Sequence, residues 1–227
     1  MFAAPIEVNG TGLLLDPSGA LFWRERGLLA VADLHLEKGS AFARRGTLLP
    51  PYDTRSTLDT LARVLRRWQP RTVVCLGDSF HDAGAGERIT SGDRDRLAHL
   101  TTGHDWVWVV GNHDPSPPAG IGGRVVPELT LAALTFRHES VAGAVGEISG
   151  HFHPKASVST RARRITDRCF VLDGRKLMLP AFGAFAGGLD VLDPAITRLF
   201  RRQFTAFLLG RDRVYAFPRP RLEPISA

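Results

Sequence analysis

Four short clusters of acidic, amide and imidazole side chains stand out in this chain: Asp33-Leu34-His35, Gly77-Asp78, Gly111-Asn112-His113-Asp114 and Gly150-His151-Phe152-His153. Each follows a strand-like apolar run. Asp33 and His35 are spaced i, i+2, as are His151 and His153. On an extended strand end that spacing sends both side chains to one side, so the pair can reach one ion. Asp78 follows a glycine, which lets the backbone turn, and its two oxygens can bridge two cations. Asn112 offers a neutral carbonyl, and His138, past the run 129–136, offers a further imidazole. Mixed nitrogen and oxygen ligation suits Mn²⁺, Fe or Zn²⁺ better than Ca²⁺ or Mg²⁺. Two such ions about 3.5–4 Å apart activate water and stabilise the attacking and leaving oxygens of phosphoryl transfer. His113 is then placed to contact a phosphate oxygen or protonate the leaving group, with Asp114 orienting its ring. Taken singly, Asp-x-His is a weak signal and Gly-Asp a common turn dipeptide; their order along the chain, each after a strand, carries the reading. His81 and Asp82 follow Asp78 closely and are candidates for supporting the ligands or touching substrate. His99 and His104 have no such neighbours and read as surface residues.

The apolar runs 28–32, 72–76 and 106–110 are short and continuous, as expected of strands buried on both faces. Between the first two, Asp53 or Thr54 is expected to cap a helix reaching about Trp68, with Leu58, Leu61, Ala62, Leu65 and Trp68 on one face. Asp93 to Leu100 predicts a second helix. Strand alternating with helix predicts βαβ units and a parallel sheet, with the polar clusters at the strands' carboxyl ends, where open α/β sheets hold their sites. Ile6–Asp16 and Leu21–Arg24 read as two strands around Pro17-Ser18-Gly19. Arg124–Val126, Leu129–Arg137 and Val145–Ser149 read as further strands, and Arg161–Arg168 as an exposed basic loop. Cys169–Leu172 and Leu177–Pro180 predict a hairpin turning at Asp173-Gly174. Ala181–Gly188 is too glycine-rich for a helix and is expected close to the sheet, and Phe204–Leu209 with Arg213–Phe217 predict a last hairpin. Residues 218–227 read as a loose tail.

A chain of 227 residues fits one domain, 1–227, with a full core. Its 44% hydrophobic and 23% charged content is ordinary for a soluble protein. No apolar run approaches the roughly 20 residues of a membrane span, and the first twelve residues lack a signal-peptide pattern, so a cytoplasmic location is expected. Cys75 and Cys169 give no disulfide framework. The net charge is +6, almost all of the basic residues being Arg. That balance is compatible with a polyanionic partner, since the guanidinium fork suits phosphate, and equally with an Arg-rich solvated surface. Lys38, Arg44, Arg45 and Lys155 flank the metal-type clusters and are candidates to grip phosphates.

The ordered motifs Asp33-x-His35, Gly77-Asp78, Gly111-Asn112-His113-Asp114, His138 and Gly150-His151-x-His153 resemble those of the calcineurin-like metallophosphoesterases. The resemblance implies a two-sheet αββα sandwich with a binuclear metal centre. Asp33, His35, Asp78 and His153 would hold one ion, and Asp78, Asn112, His138 and His151 the other. Many members have an Asp three residues after the bridging Asp, where this chain has His81. Longer phrases, Ala32–Gly39, Leu76–Asp82, Gly150–Lys155 and Leu179–Gly183, resemble the bacterial ligase-associated DNA damage response endonucleases. That likeness implies a Mn²⁺-dependent phosphodiesterase acting on single-stranded DNA, alongside a DNA ligase, a helicase and an exonuclease. Other readings are a phosphodiesterase or phosphatase for a small nucleotide or nucleotide-sugar, a catalytically silent scaffold, and a metal-independent DNA-binding module.

Overall fold

Two β-sheets stack face to face in the computed structural model, which describes residues 2–113 and 117–225. The first sheet runs in spatial order β1 (Ala4–Val8), β2 (Thr11–Leu15), β3 (Leu21–Trp23), β4 (Leu28–Ala32), β5 (Thr72–Leu76), β6 (Asp105–Val109) and β7 (Arg124–Val126). It is antiparallel as far as β4 and parallel from β4 to β7. Crossovers carry α1 (Lys38–Arg44), α2 (Asp53–Trp68), α3 (Ala85–Arg88) and α4 (Ser91–Thr102). The second sheet is built from β8 (Leu129–Leu131), β9 (Leu134–Phe136), β10 (Glu147–Ser149), β11 (Lys155–Ser159), β12 (Arg164–Leu172), β13 (Lys176–Met178), β14 (Thr205–Leu209) and β15 (Val214–Pro218). Its order is β15-β14-β12-β13-β10-β9-β8, with β11 pairing to β12. A short α5 (Pro194–Thr197) lies in the connection to β14.

The period-two alternation of the central strands makes the layers. Leu28, Ala30 and Ala32 of β4, with Val74, Leu76, Val107 and Val109, face the second sheet and meet Phe136, Ile148, Phe170 and Leu177. Leu29 and Val31, with Val73, Cys75, Trp106 and Trp108, face outward onto Leu58, Leu61 and Leu65 of α2 and Leu97 of α4. The far side of the second sheet is closed by β11, Ile196 of α5, Phe200 and Phe204. Helix, sheet, sheet and outer cover form the αββα order. Among the described residues no helix is long and apolar enough to cross a membrane.

Several local expectations change. Ile6–Asp16 is two strands, because Asn9 and Gly10 both take positive φ (49° and 76°), the requirement of a tight hairpin turn. Leu129–Arg137 is also a hairpin, turning at Ala132 (φ 50°), a residue with no turn signature. The Arg161–Arg168 stretch is not a loop throughout: from Arg164 it is paired strand, matched by an unanticipated β11 in the register Lys155↔Arg168 to Ser159↔Arg164. Its charged residues are tolerated because much of β12's amino-terminal half stays exposed. Past Pro218 the chain is tied down, with Glu223 bridging to Ser157 and the Ile225 amide donating to Asp190 at 2.7 Å. Asp53 and Thr54 do not cap α2; Tyr52 takes that position with no side-chain bond. Their oxygens accept the Gly39 amide at 2.9 Å and the Glu37 amide at 2.8 Å, holding the chain that leaves β4.

Phe170 is fully buried between the sheets. Phe170→Ala is expected to cost about 3–5 kcal/mol, read as a lowered midpoint in urea unfolding.

Candidate metal centre

The backbone beyond the central strands is unusual before any side chain is considered. Asp33, His35 and Glu37 have φ of 53°, 43° and 67°; Asp78 has 43°, and His151 and His153 have 72° and 48°. Left-handed conformations of this kind cost non-glycine residues about 1–3 kcal/mol each and persist only when the surroundings impose them. The i, i+2 pairs therefore share a side through alternating left-handed residues, and the extended strand end expected from the spacing is not what aligns them. Hydrogen bonds hold the arrangement. The His35 and Leu36 amides donate to Asp78 and Ser79 carbonyls, and the His81 amide to Leu36, each at 2.9 Å. From the other sheet, the Phe182 amide donates to Ala32 at 2.8 Å and that of Gly183 to Asp33 at 3.1 Å. At Gly183 a Cβ would lie 2.3 Å from the Leu34 carbonyl, so only glycine permits this approach. The Ala181–Gly183 end of this segment thus lies against the first sheet where Gly183 admits it.

Asp33 and His35 follow β4, Asp78 follows β5, and Asn112 and His113 follow β6; His138 follows β9, and His151 and His153 follow β10. The ligand-type atoms of Asp33, His35 and His153 lie within 4.8 Å of one another, as do those of Asp78, His138 and His151. Each carboxylate uses one oxygen as an anchor. Asp33 Oδ2 accepts the His151 amide, and Asp78 Oδ1 the His113 amide, both at 2.9 Å. The other oxygens face the cluster. Asp33 Oδ1 is 3.6 Å from His153 Nε2, and Asp78 Oδ2 is 3.4 Å from His138 Nε2. His138 Nδ1 donates to the Leu76 carbonyl at 3.0 Å, which turns Nε2 towards Asn112 Oδ1 (2.8 Å) and His151 Nδ1 (3.1 Å).

The donor set fits cations. Asp33 Oδ1 is buried with no hydrogen-bond partner. His35 Nε2 and His153 Nε2 face each other at 3.1 Å, two lone pairs that a shared ion satisfies. Burial lowers His35 to about 3 against the opposing pull of Asp33, leaving a neutral ring with a lone pair to give. Burial, with His138 beside it, lowers His151 as well. At His138, burial is overcome by the hydrogen bond the ring donates to Asp78 and by the charges of Asp33 and Asp78, and the ring rises to about 9. Burial works against Asp78 too, yet His138, the His113 amide and His35 hold it well below the usual carboxylate range. The carboxylates of Asp33 and Asp78 thus favour positive charge at His138.

His113 is half exposed at the mouth. Its Nδ1 donates to the His81 carbonyl at 3.0 Å, leaving Nε2 3.9 Å from Asp78 Oδ2. The His81 carbonyl is an orienting group that no side-chain pattern could reveal. Asp114, expected to orient the same ring, lies outside the described residues. His81 is buried, its ring stacked on His113 with centroids 5.6 Å apart. Lys38 and Lys155 are half-buried and close enough for the second to lower the first, after burial and against Asp53. Arg44 and Arg45 are exposed on the end of α1. Sequence reasoning passed over Arg168, whose Nη1 donates to the Ala181 carbonyl at 2.8 Å and fixes the inter-sheet segment; nothing distinguishes it within an Arg-rich stretch. It also passed over Glu37, which accepts from Thr54 and Ser40 at 2.8 and 2.7 Å and braces the turn before α1.

A cation arriving at His138 must displace a proton. Below about 9 the ring is protonated, so apparent metal affinity is expected to rise with pH towards 9 and level off above it, with proton release on binding. Titration calorimetry in buffers of different ionisation enthalpy checks this, and a pH-independent affinity between 7 and 9 would contradict it. Gly77 has φ 67°, and a Cβ there would lie 2.3 Å from His138 Nδ1. Gly77→Ala is expected to lower stability by more than about 1 kcal/mol and to reduce bound metal, measured by unfolding and elemental analysis.

A family model described as calcineurin-like phosphoesterase matches residues 28–172, a span that holds all four clusters and His138. Among solved structures, Pseudomonas putida nuclease MPE is 28% identical with a TM-score of 0.73, over 95% of this chain and 100% of that one. Yfce, a phosphoesterase from E. coli, is 13% identical with a TM-score of 0.41, over 83% and 96%, a likeness too distant to argue from. No curated protein matches the chain. With the family model covering most of the chain and the two-sheet fold around its clusters, this protein belongs to the calcineurin-like phosphoesterase family and is a metal-dependent phosphoester hydrolase.

Proposed function

We propose that the protein is a binuclear phosphodiesterase that cuts nucleic acid, with single-stranded DNA as substrate and Mn²⁺ as the working metal. The observation that carries this reading is the convergence of two carboxylate–imidazole groups, with Asp33 Oδ1 buried and unpartnered. In this reading Asp33, His35, Asp78 and His153 hold one ion, and Asp78, Asn112, His138 and His151 hold the other. Bound there, the pair would activate a water and stabilise charge on the phosphoryl oxygens. Fe and Zn²⁺ accept the same donors, so the choice of Mn²⁺ rests on the resemblance of the longer phrases to the ligase-associated endonucleases.

The protein's own groups do the remaining work. His113, its Nδ1 engaged by His81, keeps Nε2 for the phosphoryl oxygen or for proton transfer to the leaving oxygen. Asp33 and Asp78 each spend one oxygen on a backbone amide, so their other oxygens are aimed before substrate arrives. Lys38 and Lys155, whose charges act on one another, would offer two cations for the phosphates flanking the scissile one. Arg44 and Arg45 extend that charge along the rim. A nucleic-acid substrate is supported by the likeness, over nearly the whole chain, to a protein described as a nuclease. A place in DNA repair beside a ligase, a helicase and an exonuclease rests on the resemblance of the longer phrases.

With added Mn²⁺ the purified protein is expected to hydrolyse an aryl phosphodiester and labelled single-stranded DNA. Asn112→Ala and His151→Ala should each lose nearly all of that turnover. Full activity in both would overturn the assignment. A cyclic nucleotide or an aryl monoester preferred over DNA would redirect the substrate to a small phosphoester.

A further inference from the structure

Helix α1 brings a ring and an ammonium to the mouth of the site. Lys38 and Phe42 are four residues apart, hence on one face of the helix, and Lys38 Nζ lies 5.7 Å from the centre of the Phe42 ring. Phe42 meets His81 with centroids 5.7 Å apart and planes 47° apart; His81 in turn stacks on His113 and lies 5.7 Å from His35. A strip of rings therefore runs from the metal-type cluster to the surface: His35, His81 with His113, then Phe42. Cations border it. Lys38 and Arg45 both act on His81, lowering it after burial has done so, and Lys155 acts on Lys38.

Phe42 does not belong to any of the three apolar cores, and the buried positions of α1 are Gly39 and Ala41. The ring keeps part of its surface exposed and has an imidazole and an ammonium as neighbours. A phenylalanine there contributes little to the core. Rings interleaved with cations are what a single-stranded nucleic acid recognises: bases stack on the rings, and the basic groups follow the backbone.

We infer that Phe42 is the stacking surface for the nucleobase beside the scissile phosphate, with Lys38, Lys155 and Arg45 holding the adjoining phosphates. This rests on the nucleic-acid reading above. It makes the site selective for a nucleoside next to the reacting bond, since stacking tolerates any base but requires one.

The test compares two diesters with the same leaving group, the p-nitrophenyl ester of thymidine 5′-phosphate and methyl p-nitrophenyl phosphate, on the Mn²⁺-loaded protein. The ratio of their kcat/KM values is the readout. Wild type should favour the nucleoside ester. Phe42→Leu, which keeps apolar bulk, and Phe42→Ala should lower the ratio about tenfold, mainly through KM, and Phe42→Tyr should restore it. A ratio unchanged in Phe42→Leu, with wild type still favouring the nucleoside, overturns the inference alone. A wild type that turns over both esters without preference overturns the nucleic-acid reading, and the inference with it. Thermal unfolding of each variant separates loss of the ring from loss of the fold.

Discussion

Buried like-charged and lone-pair-bearing groups do not gather by themselves, and in this protein two carboxylates and several imidazoles meet in one small volume. Asp33 and Asp78 are almost fully buried, and removing two carboxylates from water is unfavourable unless positive charge stands between them. Within the chain that charge comes from His138, protonated well above its ordinary range. The same position suits a divalent cation better than a proton, because its neighbours also include the Asn112 carbonyl oxygen and the lone-pair-bearing His151. Electrostatics thus favours positive charge at this point, and the fold has to hold the surrounding groups in place.

Six site residues in left-handed conformations are the backbone side of that constraint. Strained residues survive where the surrounding structure over-determines them, and here it does so from three directions. The loops after β4 and β5 go on pairing beyond their strands. Asp53, Thr54 and Glu37 lock the turn into α1. Arg168 and the Ala181–Gly183 segment press on the end of β4 from the second sheet.

The convergence of these side chains was legible because their residue types are rare in combination and sit after runs whose strand character is plain. Asp33, His35, Asp78, Asn112, His138, His151 and His153 could be picked out with no knowledge of shape, and the parallel centre of the first sheet followed from alternation. What escaped was decided by tertiary contacts. The spacing of Asp33 and His35 points to a shared side, yet the backbone reaches it through left-handed residues that no local rule predicts for Asp or His in succession. Ala132 turns a hairpin without a turn residue. Arg164–Arg168 forms strand although its basic character suggests a loop, because Lys155–Ser159 supplies its partner. Asp53 and Thr54 have the chemistry of caps, but they serve the Glu37–Gly39 turn. Arg168 and the His81 carbonyl act through positions that only folding creates.

The two-sheet construction divides the cluster along a seam. Asp33, His35, Asp78 and Asn112 come from the first sheet, while His138, His151 and His153 come from the second. A cation held between Asp33 and His153, or between Asp78 and His138, is then a rivet joining two layers that otherwise cohere through apolar contact. Ligand binding stabilises whichever state offers the site, and only the aligned sandwich offers this one. A cation bound across that seam would therefore add its binding free energy to the cohesion of the two layers.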